Sequence, residues 1–489
     1  MLRGSPIILE AVDTLARAVV ELAPDPRFSP VEPRVLLVGG YVRDLLLGRE
    51  AKDCDVEVYG VEANKLHELV VSLFPRVELI GSSFGILKVW LAEGHELDIG
   101  VPRKESKVGK GHRGFVIESD PALPLREAAR RRDFTVNAIA IDPLTEAVHD
   151  PFSGLEHLQR GELRYVDRQT FIEDPLRVYR GVQLAARLEF GLEDKTFALM
   201  KDMVARGELT ELSKERVTDE LKKLLLRAEA PSRGFDYLRD LGVIDRHYPE
   251  LAATFNTQQE PEWHPEGTVW THTLMVIDAA ATLIRQASRE LTEADRLTVM
   301  LAALCHDLGK PLTTKIEDGR VRSRGHEDAG EAPTREFFSR LAFSKQLIEQ
   351  AVRIVKDHLK PSILRRQHEQ GELDDRQYAN ATRRLLKRLG DVPLEVFLAV
   401  TEADTRGRGF ADALTAPYVS GQSIRQVIAQ HDLLVAAKEP LLSGGEIIEL
   451  LGLPPGPRIG ELVKLLESAR DEGLISTKDA AIDFLQTKI

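Results

Sequence analysis

Val38-Gly39-Gly40-Tyr41-Val42-Arg43-Asp44-Leu45-Leu46-Leu47-Gly48, running on through Arg49 to Lys52-Asp53-Cys54-Asp55, is the stretch on which the reading of the fold turns. Val35–Val38 is short, apolar and rich in branched residues, so it is predicted to be a buried strand. The two glycines then turn it into a helix starting near Tyr41. Glycines at such a turn let the backbone approach a ligand, and a helix N-terminus favours a phosphate there. Arg43, one turn in, adds a cationic fork for the same phosphates. Asp53–Tyr59 alternates carboxylate and apolar residues, which predicts a second strand with one chemically special face. Residues two apart on a strand share a face, so Asp53 and Asp55 project side by side. A hard divalent cation is the common way to relieve the repulsion of such a pair. A D-x-D pair alone is usually a solvated strand edge, and a lone Gly-Gly is weaker still. Their order and spacing together are specific.

Working outward, Ile86–Leu91 and Glu96–Val101 read as two further strands, the second carrying Asp98 as a third carboxylate. It leads into a Lys/Gly-rich loop at Arg103–Gly114. Residues 7–23 have helical apolar spacing that ends where Pro24, Pro26 and Pro30 follow. From Arg126 onward the pattern is helical almost to the end, apart from short strands near Ala138–Ile141 and Leu163–Val166. The expected class is α+β, a small mixed-sheet head followed by a long all-α body. Breaks at Thr257–Pro265, Ala411–Ser420 and Leu442–Gly445 suggest five parts: an N-terminal helix (1–30), the head (31–150), a helical neck (151–262), a second helical domain (263–412) and a helical tail (413–489).

Composition bounds the answer without choosing it. A chain of 489 residues is too long for one core, and 43% hydrophobic with 29% charged residues is ordinary for a globular protein. No run is long enough to span a bilayer and no secretory leader is visible. Only Cys54 and Cys305 occur, which argues against a disulfide framework and for a reducing cytoplasm. The net charge of −12 speaks against indiscriminate nucleic-acid binding, yet local basic patches still meet phosphates.

Three segments together carry a resemblance. GGYVRDLLLGREAKDCD (39–55) resembles the first signature of class II tRNA nucleotidyltransferases, the CCA-adding enzymes, and of their bacterial poly(A) polymerase relatives. Arg131-Arg132-Asp133-Phe134-Thr135-Val136-Asn137-Ala138 resembles the second signature. Glu173-Asp174-Pro175-Leu176-Arg177, followed by Arg180, resembles the segment that reads the incoming base. The resemblance implies Mg2+ at Asp53 and Asp55 with Asp98 beside them, and a nucleotide site at Gly39, Gly40 and Arg43. Arg132 and Asp133 would contact the triphosphate and the ribose 2′-hydroxyl, with Asn137 in support. Asp174 and Arg177, three apart and so on one helix face, would pair with cytosine or adenine without a template, although such a pair alone is more often a salt bridge. The loop 103–114, with Gly109 and Gly111 for freedom and Lys107, Lys110 and Arg113 for phosphates, would switch specificity from C to A. Its undiminished length favours a complete CCA adder. Arg216 would brace the base-reading helix; with Ser213 as helix cap, a structural role is expected for it. The implied partners are tRNA, CTP and ATP. Rivals are a CC-only adder, an A-only adder, a poly(A) polymerase, an RNA phosphohydrolase with an inactive head, and a non-catalytic tRNA-binding protein.

The body carries a second constellation. His272 lies in Trp270–Leu274, His306-Asp307 in Leu304–Lys310, and His326, His358 and Asp404 follow. Imidazole suits a first-row transition metal, and aspartate binds such a metal or magnesium. An adjacent His-Asp pair with a His on an earlier helix and an Asp on a later one can surround one ion that activates water against a phosphoester. Lys310 is either a phosphate contact or a helix-end cation. The ordered set His272, His306, Asp307 and Asp404 resembles the HD phosphohydrolase superfamily. That resemblance implies a divalent ion (Ni, Co, Mn or Mg) and phosphatase, 2′-nucleotidase or 2′,3′-cyclic phosphodiesterase activity; His326 and His358 are further ligands or phosphate contacts. The tail (443–489), with Pro454, Pro455 and Pro457 before a helix, resembles the tRNA-gripping end of such enzymes. Arg365, Arg366, Arg383, Arg384, Lys387 and Arg388 are better phosphate contacts by charge, although each taken singly reads as a solvated helix face. Oligomeric state, monomer or dimer, is not legible.

Overall fold

The computed structural model describes the whole chain except residues 1–3, 29, 81–84, 108–114, 287–290, 434–439, 472–473, 476 and 489, with backbone alone at 104–107, 115–117, 471 and 488. It separates into two compact units. The first comprises Met1–Leu221 with Asp240–Gly242, the second Lys222–Arg239 with Val243–Ile489.

The first unit is built on a seven-stranded mixed sheet. Its strands are β1 (Arg34–Val38), β2 (Asp53–Tyr59), β3 (Val77–Ile80), β4 (Ile86–Trp90) and β5 (Glu96–Gly100), with two-residue strands at Ala140–Ile141 and Val148–His149. From one edge the order is β3, β4, β5, β2, β1 and then the two short strands, with β2 parallel to β5 and the other pairs antiparallel. β1 reads as unbroken apolar sequence because both of its faces are covered. Val35 and Leu37 join Cys54, Val56 and Val58 in one core with helix α1 (Pro6–Val20), while Leu36 and Val38 join Tyr59, Leu123 and Ala140 in another. The alternation in β2 therefore sends Asp53, Asp55 and Glu57 to the second face, where apolar cover is thin.

Helix α2 (Gly39–Leu46) starts on the first glycine, two residues earlier than expected near Tyr41. Gly39 takes φ +75°, and a Cβ there would stand 2.5 Å from the Asp55 carboxylate, so only glycine fits. The stretch expected as a loop at 103–114 instead opens with a strand, Arg103–Lys107, paired antiparallel with Phe115–Ser119. Its four charged residues and one serine show no period-two pattern, so nothing marks it as a strand until a partner supplies the hydrogen bonds. Residues 108–114, with Gly109, Lys110, Gly111 and Arg113, lie outside the described residues. Elements that went unpredicted include the helix Ala63–Leu73, which buries only Leu66 and Val70, and the edge strand β3, which leaves Leu79 and Ile80 exposed. Asp174 and Arg177 do not share a helix face, because the helix Leu176–Leu188 is capped at Pro175 and leaves Asp174 ahead of it.

In the second unit three helices, Val269–Gln286, Glu293–Cys305 and Leu394–Arg406, pack on one another, and Lys345–Asp357 packs on the second of them. The hairpin Lys315–Glu317 with Arg320–Arg322 interrupts a stretch expected to be wholly helical; its few exposed residues give no burial pattern to read. The tail helices Gly444–Leu451, Pro457–Asp471 and Lys478–Lys488 share a core of their own around Ile447, Leu466 and Leu485. Among the described residues, no helix is long and apolar enough to cross a membrane.

Candidate functional sites

Register brings the head carboxylates together. Asp55 stands beside Asp98 across the parallel β2–β5 pair, and Val38, which precedes the glycines, stands opposite Asp55 on β1. Asp53 and Asp55 are solvent-exposed, whereas Glu57 is buried. A cavity of about 220 Å³ is lined by Asp55, Glu57, Asp98, Arg103, Arg131 and Arg132. Although Asp55 opens onto solvent, it is ringed by protein. That desolvation raises its carboxyl above the ordinary value; Arg132 opposes the rise, and Asp98 and Glu57 add to it. Asp98 forms an ion pair with Lys88 at 3.0 Å.

Glu57 was not singled out in the sequence. It accepts from Arg131 and Arg132 at 3.0 Å each and from the Tyr59 hydroxyl at 3.1 Å. Burial alone would raise its carboxyl, but Arg132 and Arg131 outweigh that and hold it below the usual range. Its place as the third member of the alternating carboxylate series was the only signal, because the arginines that pair with it lie 74 and 75 residues away.

Behind the pocket lies a closed polar network. Arg43 is buried, donating to Asp44 at 2.8 Å and through Nη1 to Asn137 at 2.8 Å. Asn137 donates to Asp133 at 2.8 Å, and Arg180 donates to the other Asp133 oxygen at 2.9 and 2.6 Å. Burial would raise the Asp133 carboxyl; Arg180 and Asn137 reverse this and hold it well below the carboxylate range. Arg43 thus meets Asn137 inside the protein, and Asp133 already accepts at both oxygens. Arg177 reaches the carbonyls of Thr170 at 2.7 Å and Arg131 at 2.6 Å. Asp174 accepts from Leu176 N at 3.2 Å and from Arg216 at 2.8 Å, which is the bracing contact expected of Arg216. Ser213 accepts from Arg216 N at 3.5 Å.

The helical unit gathers His272, His306, Asp307, His326, His358 and Asp404, all buried. His272 Nε2 lies 3.1 Å from Asp404 and 3.8 Å from Asp307; His306 Nε2 lies 3.2 Å from Asp307 and 3.9 Å from Asp404. On the other Asp307 oxygen, His326 Nε2 stands at 3.3 Å and His358 Nε2 at 3.9 Å. The outer nitrogens explain the aim of these rings. Nδ1 of His306, His326 and His358 faces the carbonyl three residues back at 2.7, 2.8 and 2.6 Å, and His272 Nδ1 faces Glu266 at 2.8 Å. A ring that donates from Nδ1 keeps the Nε2 lone pair turned inward, as a metal ligand requires. Gly309 makes the convergence possible, because a Cβ on it would collide with His326 O at 2.0 Å. Burial, reinforced by His326 and His306, pushes the His358 imidazole down to about 3, so it is neutral at physiological pH. Asp307 and Asp404 are held well below the usual range: burial acts against this, and the neighbouring imidazoles and cations prevail.

Both Asp307 oxygens, His306 Nε2 and His326 Nε2 are buried without a hydrogen-bond partner. Facing acceptors of that kind fit a cation. The ligand atoms of His272, His306 and Asp307 lie within 4.8 Å of one another, as do those of Asp307, His326 and His358. Glu266 and His264 were missed in the sequence, His264 within the stretch 257–265 that read only as a break and Glu266 one residue past it; Glu266 also receives His264 at 2.8 Å. Lys310 forms an ion pair with Asp307 at 2.7 Å and donates to Gln259 at 2.6 Å, so it is a buried partner of the cage.

These geometries meet known families. Residues 35–164 match the model of the poly A polymerase head domain, 189–255 that of the probable RNA and SrmB-binding site of polymerase A, and 269–392 that of the HD domain. The molecule is thus of the class that couples a nucleotidyltransferase head to an HD domain, both being metal-dependent kinds of domain in general. The multifunctional CCA protein of Xanthomonas campestris pv. campestris (strain B100) is 36% identical over 440 residues, covering 89% of this chain and 97% of that one. The multifunctional CCA protein of Xylella fastidiosa (strain M12) is 35% identical over 392 residues, covering 79% and 87%. The chain belongs to the multifunctional CCA protein family. The solved CCA-adding enzyme of Bacillus stearothermophilus, in complex with CTP, shares the fold with TM-score 0.61 at 21% identity, over 99% of this chain and 98% of that one.

Proposed function

We propose that this chain builds or restores the 3′-terminal CCA of tRNA from CTP and ATP, and that its helical site hydrolyses phosphoesters at RNA ends. The observation that carries the first part is the meeting of Asp55, Asp98, Arg132 and the Gly39 turn at one pocket. In each addition the RNA 3′-hydroxyl forms a bond to the α-phosphorus, the α–β bridge breaks, and pyrophosphate leaves. Asp53 and Asp55, with Asp98 adjoining, would hold magnesium, which would supply charge neutralisation on the phosphates and acidify the attacking hydroxyl. Arg132 lies close enough to Asp55 to take up the triphosphate charge opposite it, while Glu57 fixes the arginine's direction. Gly39 and Gly40 leave room for phosphate at the start of α2. Arg43, Asn137, Asp133 and Arg180 keep the floor of the nucleotide site in register. Asp174 and Arg177, held by Arg216 and by two carbonyls, offer an acceptor and a donor of fixed direction to the incoming base.

For the second part, His272, His306, Asp307 and Asp404 would hold one divalent ion (Ni, Co, Mn or Mg), and Asp307, His326 and His358 a second. Such an ion supplies Lewis acidity to water and to the phosphoryl group. Activity as a phosphatase, 2′-nucleotidase or 2′,3′-cyclic phosphodiesterase fits the cage. A tRNA substrate places the work in the cytoplasm, where buried Cys54 and Cys305 stay thiols.

The test is incubation of a tRNA lacking its CCA end with CTP, with ATP and with both. Extension by C, C and A in the mixture is expected. A stop after CC, addition of A alone, or long A tracts would assign the chain to one of the partial adders or to the polymerase.

A further inference from the structure

We propose that the phosphohydrolase pocket takes the end of an RNA strand in preference to a free nucleotide, with Trp263 as the platform for the terminal base and the hairpin arginines as the track for the strand behind it. This rests on the phosphohydrolase reading above. The cavity at Asp307, His326, His358 and Asp404 has a volume of about 490 Å³, enough for one nucleotide-sized ligand, and Trp263 and Arg366 line it. A second cavity of about 550 Å³ shares Trp263, His326 and Arg366 with the first and continues along Arg320 and Arg322 of the hairpin and Arg324 just past it. The ring stands at their junction.

Trp263 is 52% exposed, whereas Trp270 is buried. Among the described residues, no aromatic ring or cation packs on its face. The turn that carries it is nevertheless fixed on every side. Gln259 accepts from Lys310, which is also ion-paired with Asp307. Glu260 accepts from Val321 N of the hairpin at 2.8 Å, and Glu262 pairs with Arg320 at 2.8 Å. His264 shares Glu266 with His272 of the cage. An indole left bare on an immobilised turn beside a metal-type cage is a preorganised stacking surface.

The charge fits the same ligand. Arg366 and Arg324 are exposed, Arg324 with a carboxylate no nearer than Glu317 at 3.7 Å, and Arg320 keeps its outer face open while paired to Glu262. The acids lining the track, Glu260 and Glu327, are turned to Val321 N and to His326. Stacking is indifferent to base identity, which suits an activity that must accept whatever nucleotide ends a damaged strand.

The experiment uses the metal-loaded full chain and two substrates, adenosine 2′-monophosphate and a short single-stranded oligoribonucleotide ending in a 2′-phosphate. The expected KM is about tenfold lower for the oligonucleotide and rises more steeply with salt. Trp263→Ala raises KM for both about tenfold with kcat within roughly threefold, and Trp263→Phe restores it. Arg320→Glu with Arg324→Glu removes the oligonucleotide's advantage, the ratio of the two KM values falling to near one. Equal KM values in the unsubstituted protein, or a Trp263→Ala variant with unchanged KM, overturn the proposal. Should neither ester be hydrolysed, the phosphohydrolase reading itself falls. Quenching of indole emission by the oligonucleotide, present in the unsubstituted protein and lost in Trp263→Phe, then decides the strand site by itself, and its absence overturns the proposal.

Discussion

The two proposed metal centres are built on opposite plans. In the head, Asp53 and Asp55 stand open on a strand, Asp98 is paired with Lys88, and among the described residues no three ligand atoms gather as closely as they do in the helical unit. In the helical cage every ligand is buried, each imidazole is aimed by a bond to its outer nitrogen, and four ligand atoms have no hydrogen-bond partner. On the proposed reading the head would be a half-site that a charged nucleotide and its magnesium complete, while the cage would be preformed, its desolvation cost met at folding. Metal should come and go with substrate at the first and reside at the second.

This contrast can be broken in graded steps. The largest effect is expected in the cage, where Asp307→Asn removes the carboxylate shared by both ligand groups. Phosphate release should drop roughly 10³-fold, and metal measured by elemental analysis of the purified protein should fall with it. A variant that keeps its metal and its activity would show that Asp307 is not the bridge. Next, Gly39→Ala places a Cβ 2.5 Å from the Asp55 carboxylate at a positive φ, so nucleotide incorporation should fall about 10²-fold while phosphate release is untouched. Smaller is Glu57→Gln, which frees Arg131 and Arg132. The KM for the triphosphate should rise about tenfold with kcat less affected, and an unchanged KM would remove Glu57 from the account.

How much of this was legible in the sequence follows from the range of the interactions. Period-two alternation placed β2 and its carboxylate face to the residue, and the His-Asp order located the cage. Glu57 was passed over because its importance comes from Arg131 and Arg132, which lie beyond any local pattern. Glu266 was passed over one residue past a stretch that reads as a break, although its bonds to His264 and His272 aim the cage. Asp174 and Arg177 were given one helix face when Pro175 in fact separates them. Their tethers, Arg216 and the carbonyls of Thr170 and Arg131, depend on tertiary packing that spacing cannot report.

The smallest expected effect concerns acid. Asp133 is held below its ordinary value in the folded head, so its contribution to stability is full above about pH 4 and is lost as the pH falls through the folded-state value. Urea unfolding followed down the pH scale should show this loss, and the slope should flatten in Asp133→Asn. A slope identical in both proteins would mean that another carboxylate governs acid unfolding.

The central claim, that two independent centres serve one RNA end, is tested most directly by measuring both activities in two double variants side by side. Asp53→Ala with Asp55→Ala is predicted to abolish nucleotide incorporation into a tRNA lacking CCA and to leave phosphate release at its original rate. His306→Ala with Asp307→Ala is predicted to do the reverse. Incorporation that survives loss of both aspartates, or loss of both activities from either pair, would contradict the account.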